Sequence, residues 1–91
     1  ETEFDYVVTN LKIHHNTISG CSGGAINCNK GANYDVYSNT VTGNNIIAVR
    51  CSNVKIYGNN VKNTFIRVMP YASNVTVENN SLDSDSWVFF G

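Results

Sequence analysis

The sequence predicts an all-β chain wound as a parallel β-solenoid of about four coils. Three observations carry this. A nine-residue pattern recurs as "NLKIHHNTI" (10–18), "NYDVYSNTV" (33–41), "NVKIYGNNV" (53–61) and "NVTVENNSL" (74–82), at steps of 23, 20 and 21 residues. One further short apolar piece separates each recurrence from the next. Composition opposes helix: asparagine, serine, threonine and glycine supply the polarity, while valine, isoleucine, tyrosine and phenylalanine supply strand formers. No segment carries a helical stripe of useful length.

The elements follow in order. The apolar pairs Leu11 and Ile13, Tyr34 and Val36, Val54 and Ile56, Val75 and Val77 are two residues apart, so each pair lies on one face of a strand. A break holding the second asparagine turns the chain. A second short strand then brings in Ile18, Val41, Val61 and Leu82. The pieces Ala25 to Cys28, Ile46 to Cys51, Phe65 to Met69 and Trp87 to Phe90 close the cycle, with "FDYVV" as the matching piece at the start. The expectation is three short strands and three corners per cycle, with coils at roughly 4–22, 23–45, 46–64 and 65–91. A constant cycle of this kind requires a coil that returns to stack on itself in parallel, about 4.8 Å away.

Stacking explains the asparagines. Equivalent residues lie above one another, so Asn10, Asn33, Asn53 and Asn74 form one column and Asn16, Asn39, Asn59 and Asn80 another. A column of amides satisfies its own hydrogen bonds and those of the corner backbone. Both columns are expected to be structural ladders, the first of them facing inward. The position before the second asparagine holds His15, Ser38, Gly58 and Asn79. Glycine and asparagine there point to a left-handed backbone.

The stretches "SNVKIYGNNVKN" and "SNVTVENNSLDS" resemble the repeats of right-handed parallel β-helix proteins of the pectate-lyase-like kind. The resemblance covers nearly the whole chain and implies right-handed coils. Its function classes include polysaccharide lyases, epimerases, hydrolases, phage tailspikes, adhesins and passive scaffolds, so it does not fix an activity. Lyases and epimerases of this kind need acidic residues, often with calcium, near a basic proton acceptor.

The outward positions of the first strand form the columns Lys12, Asp35, Lys55, Thr76 and His14, Tyr37, Tyr57, Glu78. The first alternates in charge, which suits surface ion pairing; one Asp between two Lys is too little for a lyase. The second offers stacked tyrosines, as a flat strip for sugar rings or a partner surface, or as ordinary cross-strand pairing. Thr76 apart, these residues are the candidate contact face. The second strand exposes Thr17, Thr40, Asn60 and Ser81, then Ser19, Thr42, Lys62 and Asp83.

Other signals are weaker. His14 and His15 are adjacent on a strand and should point opposite ways, with no third ligand, so no metal is expected. "DSD" at 83–85 lacks the remaining ligands of a calcium loop. Cys28 and Cys51 read as small buried hydrophobes ending equivalent pieces, and Cys21 as the exposed cysteine; a Cys21–Cys28 bridge is not favoured. Of the sequons at Asn74 and Asn79, the corner residue Asn79 is the better glycan acceptor.

A formal net charge of −1 without a basic stripe excludes an electrostatic nucleic-acid partner. No apolar run reaches the about 20 residues of a membrane span, and no stretch of these residues reads as a signal peptide, so for a secreted protein the signal is expected to have been removed or to lie outside them. Corners are short, so a deep catalytic groove is not expected. Both "FDYVV" and "SWVFFG" are apolar and unlike capping helices. The function expected is therefore a non-catalytic, extracellular or cell-surface β-helix module. It would stack head to tail on itself or on flanking β-helix coils, contact polysaccharide on its aromatic face, and need no cofactor. The alternative is part of a carbohydrate-active β-helix enzyme.

Overall fold

The computed structural model describes residues 8–20 and 24–91. The start of "FDYVV" and Cys21 lie outside the described residues. The strands are β1 (Val8–Thr9), β2 (Lys12–His14), β3 (Thr17–Ser19), β4 (Ile26–Tyr37), β5 (Thr40–Thr42), β6 (Ile46–Tyr57), β7 (Asn60–Lys62), β8 (Phe65–Val68), β9 (Ser73–Glu78), β10 (Ser81–Leu82) and β11 (Trp87–Phe90). Among the described residues there is no helix, hence none able to cross a membrane.

Every strand pairing is parallel, and each joins one coil to the next. The path β1-β4-β6-β8-β11, with β2 on β4 and β9 on β6, forms one sheet; β3-β5-β7-β10 forms the other. Ile13 pairs with Val36, Val36 with Ile56 and Ile56 with Val77. The sequence-derived register is therefore that of the structure, a β-solenoid of about four turns.

The corners are left-handed, as the sequence pattern requires. His15, Ser38, Gly58 and Asn79 have φ of 58°, 56°, 65° and 54°. Asn10, Asn33, Asn53 and Asn74 share the conformation at 59°, 62°, 55° and 53°. Asparagine tolerates this region better than most residues.

One expectation needs correction. The closing piece of one coil and the first strand of the next are not separate. In β4 and β6 they are a single ladder of 12 residues, bent at left-handed Lys30 and Arg50 and again at Asn33 and Asn53. A one-residue reversal of φ bends the strand while its neighbours keep their ladder bonds. In the fourth coil the same path does split, into β8 and β9. Pro70 has no N–H to give the ladder, and the Ala72 N–H instead bonds the Met69 carbonyl at 3.1 Å.

The core is made of stacked inward columns. Val36 and Ile56, and Val41 and Val61, are fully buried in the two middle coils, and so are Ile46 of the third coil and Ile66 of the fourth. Ile13, Ile18, Val75, Val77 and Leu82 pack on them from the outer coils and are only partly buried. Cys28 and Cys51 are buried free thiols, but they are not equivalent. Cys28 stacks on Ala48, and Cys51 on Gly31, so they occupy different columns.

Burial pushes the Cys28 thiol from the ordinary 9.0 up to about 12, with Cys51 nearby adding to the shift. The folded chain thus keeps a proton that the unfolded chain loses above pH 9. Stability is complete below that pH and falls as pH rises toward 12, by about 1.4 kcal/mol per pH unit for this thiol. Denaturation midpoints measured between pH 8 and 11 should show the decline, and Cys28→Ala should make it shallower. An unchanged slope in that variant would assign the loss to other groups.

Candidate interaction face

The outward residues of β2, β4, β6 and β9 make one ordered face. Lys12 pairs with Asp35, Asp35 with Lys55 and Lys55 with Thr76. Two residues along, His14 pairs with Tyr37, Tyr37 with Tyr57 and Tyr57 with Glu78. The rings of His14 and Tyr37 stack at 4.8 Å and those of Tyr37 and Tyr57 at 5.1 Å, each with 8° between planes. These separations match the coil spacing, so the β-ladder itself sets the stack. Partial desolvation in the stack, then the Asp35 carboxylate and Tyr37, push the Tyr57 hydroxyl above its usual range. It stays a neutral phenol at physiological pH.

The first asparagine column borders this face. Asn33 Nδ2 donates to Asn10 Oδ1 at 3.1 Å, Asn53 Nδ2 to Asn33 Oδ1 at 3.2 Å, and Asn74 Nδ2 to Asn53 Oδ1. All four side chains are exposed, so the expected inward ladder faces solvent instead. Strand parity is the reason. Asn33 and Asn53 immediately precede inward Tyr34 and Val54, and neighbours on a strand take opposite faces. Asn74 is therefore no less accessible than Asn79, and burial does not separate the two sequons. This ladder and the charged column enclose a trough of about 420 Å³.

The second asparagine column does point inward, because the left-handed corner before it shifts the parity. Asn39 and Asn59 are each 1% exposed. Asn59 Oδ1 accepts from the backbone N–H and the Nδ2 of Asn39, both at 3.0 Å. Its own Nδ2 donates to the Val36 carbonyl at 3.1 Å and to Asn80 Oδ1 at 2.9 Å. Asn16 and Asn39 repeat the pattern one coil earlier.

Two local readings change. His14 and His15 do not point apart: their Nδ1 atoms lie 2.7 Å from each other in a hydrogen bond. The left-handed turn at His15 sends both rings to solvent. Among the described residues no group of three His, Cys, Asp or Glu is placed to hold a metal. "DSD" is a turn device. The Asp83 carboxylate accepts from Ser86 Oγ at 2.6 Å, and from the Asn63 and Asp85 N–H groups at 3.2 Å. Those bonds, the Ser86 hydroxyl first, hold its carboxyl below the usual range.

Chemically the face is poor in acid–base pairs. Asp35 is the single carboxylate of the trough. His14 and Glu78 lie at opposite ends of their column, three coil steps or about 14 Å apart. They cannot serve one reacting bond within this chain. The sequence reading missed a second concavity of about 440 Å³, lined by Lys30, Arg50, Cys51, Ser52 and Tyr71 among others. Its signal was the single coil step between Lys30 and Arg50. No protein-family model, curated protein or solved structure matches the chain.

Proposed function

We propose that the chain is a non-catalytic structural module, a right-handed β-helix of the pectate-lyase-like kind that works outside the cell, whose solenoid is extended at its C-terminal coil. The observation that carries this is the open end of the core. Val88 continues the inward column of Ile66, and Phe90 that of Val68. Ile66 is fully buried, yet Val88 is 38% and Phe90 63% exposed. Trp87 and Phe89 are exposed on the other side of the same strand. An unpaired edge strand with apolar residues on both faces is the surface that soluble folds normally cover or pair. A further parallel coil would bury it and continue both sheets. The sparse acid–base set of the outward face agrees with a module built for contact and not for turnover.

The test is the joint substitution Val88→Lys and Phe90→Lys. Wild type is expected to associate with rising concentration in sedimentation velocity. The double variant should remain at monomer mass, with an unchanged far-ultraviolet circular dichroism spectrum. A wild-type chain that stays monomeric to millimolar concentration would overturn the proposal.

A further inference from the structure

We infer that the second concavity is a binding site for a small acid, an oxyanion carried on a compact apolar body, with Arg50 and Lys30 as its cationic wall. The backbone makes the recess. The ladder of β4 and β6 bends at left-handed Lys30 and Arg50, with φ of 57° and 48°, and again at Asn33 and Asn53. Between the bends Gly31 stacks on Cys51 and Ala32 on Ser52. All four are small, so the surface stays low there. The fourth coil supplies the far wall. Val68 pairs with Ala48 at a step of 20 residues, but Ser73 pairs with Ser52 at a step of 21. The added residue falls in the turn that holds Pro70 and Tyr71, and Tyr71 stands out from it, 76% exposed, beside the recess that it lines.

Charge supplies the second argument. Asn29 pairs with Val49 and Gly31 with Cys51, which puts Lys30 and Arg50 one coil step apart, about 4.8 Å at the backbone. The charged column of the outward face alternates instead, with Asp35 between Lys12 and Lys55. In the recess two cations are neighbours, and among the described residues no carboxylate lines it. Like charges at this spacing repel, and an anion set between them turns the repulsion into attraction. Arg50 is exposed, and no described residue gives its guanidinium a hydrogen bond or an ion pair. Burial pushes the Cys51 thiol above its ordinary range, so the floor brings no negative charge of its own.

The lining also selects the ligand. The Arg50 guanidinium is a planar fork of N–H donors that fits two oxygens of a carboxylate or a phosphate. Lys30 adds a point charge, and Ser52 and Tyr71 bring hydroxyl donors to the same recess. A bare oxyanion would leave most of its 440 Å³ to water. The Ala32 methyl, the Gly31 backbone and the Tyr71 ring offer apolar surface to the body that carries the charge. The site lies in the second to fourth coils and does not depend on what extends the solenoid.

Benzoate and phenyl phosphate are the probes, with benzyl alcohol as the uncharged control. Followed by backbone amide chemical shifts, at least one acid should give saturable changes at Gly31, Ala32, Cys51 and Ser52. It should bind at least about tenfold more tightly than benzyl alcohol, and the tighter acid names the head group. Arg50→Gln should weaken it about tenfold, and Tyr71→Ala about threefold. Lys62→Gln removes a cation from the other sheet and should change affinity less than about twofold. Amides outside the recess should keep their shifts in each variant, which reports an intact fold. Should Arg50→Gln not fold, the Tyr71→Ala loss carries the test. The site is overturned by acids that give no saturable change in the recess, by benzyl alcohol binding as tightly as both acids, or by Lys62→Gln costing as much as Arg50→Gln.

Discussion

Asn59→Ala should lower the unfolding free energy by about 4 kcal/mol, a large share of the 5–15 kcal/mol available to a small domain. The figure follows from what the substitution strands. Asn59 makes four side-chain bonds while only 1% exposed. Its removal leaves the Asn39 N–H, one Asn39 Nδ2 hydrogen, the Val36 carbonyl and Asn80 Oδ1 short of partners. An unsatisfied buried polar group costs about 1–3 kcal/mol, and some of the four share other bonds or relax. Asn53→Gly is the contrast. Asn53 ladders too, but in water, and glycine accepts its positive φ without strain. That change should stay within about 0.5 kcal/mol. Urea unfolding with comparable slopes decides between them. Equal effects at both sites would mean that the inner amides are solvated and the ladder is decoration. Should Asn59→Ala not fold, half-buried Asn80→Ala should show a smaller loss of the same origin.

The same contrast explains what was legible in the sequence. Stacking makes equivalent side chains touch, so selection for one column leaves one residue type at a fixed step. The core columns, the register and the corner before the second asparagine were readable for that reason. Lys30 and Arg50 were not, because neither residue type signals a left-handed bend, and the bend keeps its ladder bonds on either side. The orientation of the first asparagine column was readable by strand parity, since Asn53 abuts inward Val54. The expectation fails because the two columns, alike in residue type, take opposite faces of the coil. The histidine pair failed through the φ reversal at His15, which the pattern had already placed there. Function was least legible. A trough with one carboxylate, two lysines and four asparagines names no reaction, and the feature that argues for extension is the apolar edge of the last strand.

The end coils give the second large effect. Ile56→Ala should cost about 3–4 kcal/mol, since its side chain is fully buried between Val36 and Val77 and leaves a cavity that stacked β-coils cannot collapse around. Val77→Ala, one coil on, is half-buried with an open side. It should cost only about 1 kcal/mol in the monomer. In a solenoid each coil touches only its neighbours, so the difference between the two sites measures the missing neighbour. The proposed extension supplies that neighbour. Measured well below the association threshold, the two substitutions should differ as stated. Measured well above it, the Val77→Ala penalty should grow toward that of an interior valine, while Ile56→Ala should keep its intrinsic cost. A Val77→Ala penalty that is the same in monomer and assembly would show that association leaves the C-terminal core face uncovered. The contact would then have to lie on another surface, and the aromatic face of Tyr37 and Tyr57 would be the next to substitute.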